Sequence, residues 1–204
     1  MGENQFEFIA TTCVSDALKG LHHLDNAIKP VSDDLSVIGR AYTVNLQAGD
    51  NLLLLKGIKE ARKGDVLVVD AKGYTNMASA GDFVMGLAQT LGLAGVVIDG
   101  VIRDIKGIRE LNFPVFCKGS TTAASHKYGK GEINVPVSCG GTVIKPGDTI
   151  IGDADGVVCI PKGKEEEVLE AARNKEQKDI ERENKVLVNE ETARTYLEDL
   201  FSEK

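Results

Sequence analysis

Seven Gly/Asp pairs cut this chain into short lengths: Gly49-Asp50, Gly64-Asp65, Gly81-Asp82, Asp99-Gly100, Gly147-Asp148, Gly152-Asp153 and Asp155-Gly156. Glycine reaches the positive φ of tight turns and aspartate hydrogen-bonds its own downstream backbone, so each pair punctuates an element. Between them the hydrophobic pattern predicts helices near 12–26, 51–62, 83–91 and 104–111. It predicts strands near 37–47, 66–70, 95–99, 114–118, 142–145, 148–151 and 156–160. Strand and helix alternate through the first two-thirds, and short strands with tight turns fill 134–161. The expected fold is therefore α/β with a β-rich closure, and no linker divides it. A chain of 204 residues that is 42% hydrophobic can bury a full core for one such domain.

Charge and cysteine usage exclude several functions. Thirty-one acidic residues against 24 basic ones give −7, and no segment carries the Lys/Arg stripe that a phosphate backbone requires. Direct nucleic-acid binding is not expected. No apolar stretch nears the roughly 18 residues of a membrane span, and the segment Met1 to Glu7 lacks a basic, signal-like start. The expected location is cytoplasmic, away from membranes. Cys13, Cys117, Cys139 and Cys159 form no CxxC pair and read as reduced, buried thiols. His22, His23 and His126 stand at no zinc-ligand spacing.

From residue 163 onward the composition changes. Of the last 42 residues 21 are charged, 13 acidic and 8 basic, so this stretch supplies −5 of the total. The body, 1–162, is nearly neutral. Apolar residues recur in patches around Val168-Leu169, Val186-Leu187-Val188 and Leu197-Leu200-Phe201, separated by the polar run Arg173 to Asp179. The pattern predicts a long helix and then a second one capped by Asn189 ahead of Glu190-Glu191. A helix polar all round in its middle is solvated or reaches a neighbour, so 163–204 is expected as an arm packing on the body or on another subunit.

One pairing of segments can carry chemistry. Asp82 is positioned to cap the amphipathic segment Phe83, Val84, Leu87, Ala88, Leu91, and the buried run Val96-Val97-Ile98 follows it. In a right-handed strand-helix-strand unit the helix begins at the carboxyl edge of one strand, and the next strand ends at that same edge. The amides after Asp82 and the pair Arg103-Asp104 should therefore meet on one rim. Amide hydrogens, a helix dipole and a guanidinium favour a carboxylate. Asp82 and Asp104 add hard oxygens suited to Mg²⁺ or Mn²⁺, which keep most of their own water. An anion grip beside a divalent metal suits a 2-oxo acid. Taken singly, an Asp before a helix is a cap and an Arg-Asp pair after a strand is a solvated turn, but the eleven-residue stretch from Ala71 to Gly81 is longer than such a unit needs.

Other motifs carry less. Asp153 and Asp155 resemble part of a calcium loop, but the terminal Glu is missing. The loop from Gly119 to Gly131 lacks the Ser or Thr and the first Gly of a phosphate loop and reads as a rim loop, with His126 solvated. No glycine-rich nucleotide loop supports a methyltransferase.

The stretches from Gly95 to Asp104, Asn112 to Phe116, Gly131 to Gly141 and Lys145 to Pro161 closely resemble the RraA-like family. That family includes 4-hydroxy-4-methyl-2-oxoglutarate/4-carboxy-4-hydroxy-2-oxoadipate aldolases and the regulator of ribonuclease E activity A. Its aldolases are marked by an Asp, twenty intervening residues and then Arg-Asp, which Asp82 and Arg103-Asp104 match. The resemblance implies a swivelling β/β/α-type domain and a trimer or pair of trimers. It implies that Arg103 binds the pyruvate portion, that Asp104 holds the metal, and that Gly81, Asp82, Phe83 and Val84 line the substrate carboxylate. A glutamate of the arm, Glu176, Glu181 or Glu183, could reach a neighbour's site. Three positions after Asp104, where aldolase members tend to carry an acidic residue, stands Gly107.

The leading expectation is a metal-dependent lyase that cleaves a short 4-hydroxy-2-oxo acid to pyruvate and can decarboxylate oxaloacetate. Arg103 stabilises the enolate, and a metal-shell water oriented by Asp82 takes the hydroxyl proton. The alternative is a non-catalytic regulator that binds and inhibits an RNA-processing enzyme.

Overall fold

The computed structural model describes residues 8–202. Helix α1 (Thr11–Ala17) leads to β1 (Lys29–Pro30) and β2 (Val37–Leu46). Then α2 (Leu52–Glu60), β3 (Val66–Tyr74), α3 (Asp82–Thr90), β4 (Gly95–Gly100), α4 (Ile105–Glu110) and β5 (Val115–Cys117) alternate. Five short strands follow: β6 (Gly131–Ile133), β7 (Val137–Cys139), β8 (Thr142–Ile144), β9 (Thr149–Asp153) and β10 (Gly156–Ile160). Helices α5 (Glu165–Val186) and α6 (Glu190–Ser202) end the described chain.

Strands β2, β3, β4 and β5 pair in parallel as neighbours, each joined to the next by a helix. The sheet continues antiparallel through β9 and β10, with β1 beyond β5 and β6 beside β2, in the order β1-β5-β4-β3-β2-β9-β10. Its two ends come back together: Leu24 N–H donates to the Val157 carbonyl at 2.9 Å and Lys29 Nζ to that of Asp155 at 2.6 Å. The result is one α/β domain built on a nearly closed, barrel-like sheet with helices at its carboxyl terminus.

Side-chain alternation along the strands divides the core in three. On β3, Leu67 and Val69 face Leu54, Ile58, Met85 and Ala88 of the helices, while Val66 and Val68 turn inward to Phe116, Ile150 and Cys159. Both faces are covered, so β3 reads as a continuous buried run. A third cluster lies under α1 and the start of α5, where Val14, Ile151, Val158, Val168 and Leu169 meet. The four thiols are free and buried, and burial pushes those of Cys13, Cys117, Cys139 and Cys159 up, away from the reactive thiolate.

Five elements differ from the sequence expectation. The helix expected over 12–26 stops at Ala17, because Lys19 takes φ 56° and Gly20 N–H returns to the Ser15 carbonyl at 2.9 Å, closing a Schellman turn. Strand β3 runs on to Tyr74 through an irregularity at Lys72 and Gly73, both with positive φ, which shortens the loop before α3. Strands β1, β6 and β7, of two or three residues, were not expected because such runs show no periodicity.

Candidate functional site

Topology brings the expected residues together. Helix α3 begins after β3 and Arg103-Asp104 follows β4, so both lie at the carboxyl edge of adjacent parallel strands. The chain stays paired beyond the sheet: Ser79 N–H donates to the Val101 carbonyl at 2.8 Å and Arg103 N–H to that of Ala80 at 3.0 Å. A cavity of about 220 Å³ opens there, lined on this side by Gly81, Asp82, Phe83, Val84, Arg103 and Asp104.

The contact between the two turns requires glycine. A Cβ on Gly81 would lie 2.4 Å from Asp104 Oδ2, and one on Gly107 would lie 2.5 Å from Asp82 Oδ2. Each carboxylate thus rests on the bare backbone of the facing turn. Gly81, in extended conformation, is the residue that caps α3, and no side chain caps the helix; the expectation that Asp82 is the cap is corrected. Asp82 is the first helical residue, and its Oδ1 accepts from Phe83 N–H at 2.6 Å. The Phe83 amide is therefore engaged rather than free, and Val84 N–H leans on the Gly81 carbonyl at 3.1 Å.

Asp104 adopts φ 59° and ψ 40°, the left-handed region that Asp tolerates better than most residues. That conformation costs on the order of 1 kcal/mol and turns the carboxylate toward Gly81. Arg103 Nε lies 3.3 Å from Asp104 Oδ2, with both side chains 44% exposed. A pair this exposed adds little stability, so its structural effect is orientation.

The donor set is suited to a hard divalent cation. Among the described residues no group of three metal-ligating side chains converges, and Mg²⁺ needs only one or two carboxylates beside its water. Asp104 and Asp82 supply that number at the cavity wall.

The opposite wall is formed largely by the loop expected at the rim, although its individual residues and Asn51 were not foreseen. It comes from Asn51, at the start of α2, and from Ala124, Ser125 and Lys127 of the loop between β5 and β6. That loop crosses the carboxyl edge, bridging Ser120 to Ile102, Ala124 to Ala78 and His126 to Asp50. Buried Asp50 pins it, accepting from Tyr128 N–H at 2.6 Å, Gly129 N–H at 2.9 Å and Leu52 N–H at 2.8 Å. No sequence motif announces this, because the residues converge only through the loop's path. His126 stacks on Tyr128 with ring centroids 4.9 Å apart.

A second polar group lies close by but outside the cavity. Lys118 Nζ joins Asp99 Oδ1 at 2.7 Å and Asp25 Oδ2 at 2.9 Å, and Asp99 Oδ2 accepts from Gly140 N–H at 2.9 Å. The bond to Asp99 raises Lys118 above its usual range. The Ala27 amide, then Lys118, hold Asp25 below its own. With every member paired, this network is structural.

The structure thus presents a barrel-like α/β domain with a polar cavity at the carboxyl edge of its parallel strands, where Arg103 and Lys127 stand beside Asp82 and Asp104. The family model described as RraA-like, Aldolase/RraA, matches residues 11–159. A protein of Halalkalibacterium halodurans named "Putative 4-hydroxy-4-methyl-2-oxoglutarate aldolase" is 55% identical over 197 residues, covering 97% of this chain and 94% of that protein. The solved structure of the RNA-processing inhibitor RraA from Thermus thermophilis aligns with TM-score 0.70 and 32% identity, covering 76% of this chain and 94% of that one. That of Streptomyces coelicolor RraAS2, an unusual member of the RNase ES inhibitor RraA protein family, aligns with TM-score 0.74 and 30% identity, over 85% of this chain and 91% of that one. The chain belongs to the RraA-like family.

Proposed function

We propose that the protein is a metal-dependent carbon-carbon lyase that releases pyruvate from a short 4-hydroxy-2-oxo acid and also decarboxylates oxaloacetate. The observation that carries this reading is the meeting of Arg103, Asp104 and the first turn of α3 on one cavity. The aldolase name of the 55% identical relative supports it.

Arg103 grips the C1 carboxylate with its planar fork, and Gly81 to Val84 line the same group at the start of α3, contributing the helix dipole while the Phe83 and Val84 amides keep their bonds within the turn. Breaking the C3–C4 bond leaves its electron pair as an enolate on the pyruvate half, and C4 becomes a carbonyl as its hydroxyl proton departs. Arg103 stabilises the developing oxyanion, and Asp82 orients the water that takes the proton. Asp104, helped by Asp82, would hold Mg²⁺ or Mn²⁺, which supplies Lewis-acid stabilisation of that enolate oxygen when bound. Decarboxylation of oxaloacetate forms the same enolate without the hydroxyl proton. In this reading residues 1–162 carry the chemistry, residues 163–204 form the arm, and the protein assembles as a trimer or hexamer.

Pyruvate release from 4-hydroxy-2-oxo acids and oxaloacetate, assayed with EDTA and then with added Mg²⁺ or Mn²⁺, tests the proposal. Loss on chelation and recovery with metal are expected, and full activity in excess EDTA refutes the metal-dependent mechanism. The likeness to RNA-processing inhibitors at 30–32% identity favours a second reading, a binding protein without turnover. The absence of pyruvate from every substrate would select it.

A further inference from the structure

Glycine is among the poorest helix formers, yet Gly107 sits inside α4 in ordinary helical conformation, where alanine would be locally better. Something other than the helix demands it. A Cβ built on Gly107 lies 2.5 Å from Asp82 Oδ2, 2.9 Å from Asp82 Cβ and 3.1 Å from Asp82 Cγ, so its three nearest neighbours belong to one side chain. Turning the carboxylate aside would clear the first of these contacts and leave the second, because Cβ stays in place when the side chain rotates. Clearing both requires moving α3 away from α4.

The contact matters because little else holds Asp82. Its side chain is exposed, and among the described residues its hydrogen-bond partner is Phe83 N–H, which meets Oδ1 at 2.6 Å. The second oxygen, Oδ2, occupies the space that a side chain at position 107 would fill. One oxygen is fixed by its own helix, and the other is given its place by the facing one. Gly86, which borders the groove between α3 and α4 from the α3 side, differs: a Cβ there would meet nothing closer than Leu111 Cδ2 at 3.9 Å, an ordinary van der Waals contact. A glycine is therefore tolerated at 86 and required at 107.

We propose that Gly107 is a positioning residue that keeps the Asp82 carboxylate in place at the cavity wall and thereby sets which of two reactions the cavity favours. This rests on the reading of Asp82 as the group that orients the water accepting the C4 hydroxyl proton. That proton transfer belongs to the cleavage of a 4-hydroxy-2-oxo acid and has no counterpart in the decarboxylation of oxaloacetate. Displacing Asp82 should therefore separate the two. Cleavage loses its aligned base, since catalytic alignment is sensitive to shifts of about 1 Å, while decarboxylation continues with the enolate stabilised by Arg103.

The experiment compares Gly107→Ala with Gly86→Ala in the full chain at saturating Mg²⁺ and substrate, reading kcat for both reactions. In Gly107→Ala the ratio of cleavage to decarboxylation should fall by about tenfold or more, and in Gly86→Ala it should keep its wild-type value. A merely structural glycine would lower both reactions together, so an unchanged ratio in Gly107→Ala overturns the proposal. Thermal melts without metal test the contact itself. Gly107→Ala should give no gain in Tm over wild type, whereas in an Asp82→Gly background, which removes the obstructing atoms, it should raise Tm by about 2 °C through helix propensity. Equal shifts in the two backgrounds would show that Asp82 does not obstruct position 107, and would overturn the proposal as well. A wild type that releases pyruvate from neither acid refutes the lyase reading and the catalytic role of Gly107 with it. A wild type active on both, with an unchanged ratio in Gly107→Ala, refutes the role of Gly107 alone.

Discussion

At the rim, Gly81 and Gly107 leave no room for a methyl group between facing turns, whereas α6 buries none of its side chains and Phe201 is 75% exposed. Both regions are rich in charge. At the rim the charges are set by backbone contact, down to a left-handed Asp104. On the arm they form pairs one turn apart, Lys175–Asp179 on α5 and Arg194–Glu190 on α6, with Lys175 also reaching Asp16 of α1 at 3.3 Å. Only the first turns of α5 join the core, through Val168, Leu169 and Ala172. Close backbone approach fixes geometry, while pairs one turn apart contribute a few tenths of a kcal/mol each and fix little beyond the helix. The contrast predicts that substitutions at the rim damage activity and spare stability, and that those on the arm act on stability to a degree set by depth.

The largest effect should come from the rim. Arg103→Lys keeps the charge but loses the two-bond fork, so it should lose about 2–4 kcal/mol of transition-state stabilisation, roughly 30- to 1,000-fold in kcat/KM. Asp104→Ala should be partly relieved by raising Mg²⁺, as expected for a lost ligand. The thermal melt of Arg103→Lys should match wild type, since its side chain is 44% exposed. Asp104→Ala should melt slightly lower, because alanine tolerates a φ of 59° less well than aspartate, and Asp104→Asn, which tolerates it, should melt as wild type while still losing metal affinity. A turnover for Arg103→Lys close to wild type, or early melting of both variants, would make the rim merely structural.

Next comes depth within the arm. Leu169 is 4% exposed against Ile151 and Val158, so Leu169→Ala should cost about 2–4 kcal/mol in denaturant unfolding. Phe201→Ala should stay within about 0.5 kcal/mol for an isolated chain. A loss above about 1 kcal/mol at Phe201 would mean that a second copy covers α6 in solution. Light scattering read against the 21.9 kDa chain would then show the trimer or hexamer directly.

What the sequence made legible follows the same division. The meeting of Asp82 with Arg103-Asp104 needed only a strand-helix-strand rule and an apolar run at Val96 to Ile98, because handed topology turns spacing into place. Asn189 as the cap of α6 was equally readable, and its Oδ1 accepts from Thr192 N–H at 3.0 Å. The cap of α3 was misread because Gly81 is dictated by the approach of Asp104, a contact distant in sequence. Asn51, Ser125 and Lys127 were unreadable for a related reason. The loop that gathers them is routed by buried Asp50, which on the page is one Gly-Asp pair among seven.

A smaller effect should appear on acidification where arm meets body. Arg40 of β2 bonds Glu165, the first residue of α5, and also Thr149 Oγ1 at 3.0 Å. Burial opposes ionisation of Glu165, but Arg40 and the Gly163 amide outweigh it and hold the carboxyl below its usual range. A depressed native value means that the stabilisation is present above the unfolded-state value, about pH 4.3, and is lost as pH falls through the native one. Wild type should therefore exceed Glu165→Gln by about 1 kcal/mol near neutrality and converge with it in acid. A gap that stays constant from neutrality down to the acid limit of the folded state would remove the pair from the acid response.

The smallest effect on the whole molecule should come from Asn189→Ala, and it tests how far the arm is coupled to the body. Asn189 Oδ1 caps α6 through Thr192 N–H, and Thr192 Oγ1 ties back to the Val186 carbonyl at 2.8 Å. Removing such a cap costs about 1 kcal/mol of helix stability. Because α6 buries no side chain, that loss should fall on local opening of the helix and not on global unfolding. Amide exchange across residues 190–202 should quicken about fivefold, the rate equivalent of 1 kcal/mol, while exchange on β3 stays at its wild-type rate and Tm moves by less than about 1 °C. If Tm instead falls by several degrees, or β3 exchange quickens in step with α6, the arm unfolds with the body. The contrast between a rim held by backbone contact and a loosely attached hairpin then fails at its second half.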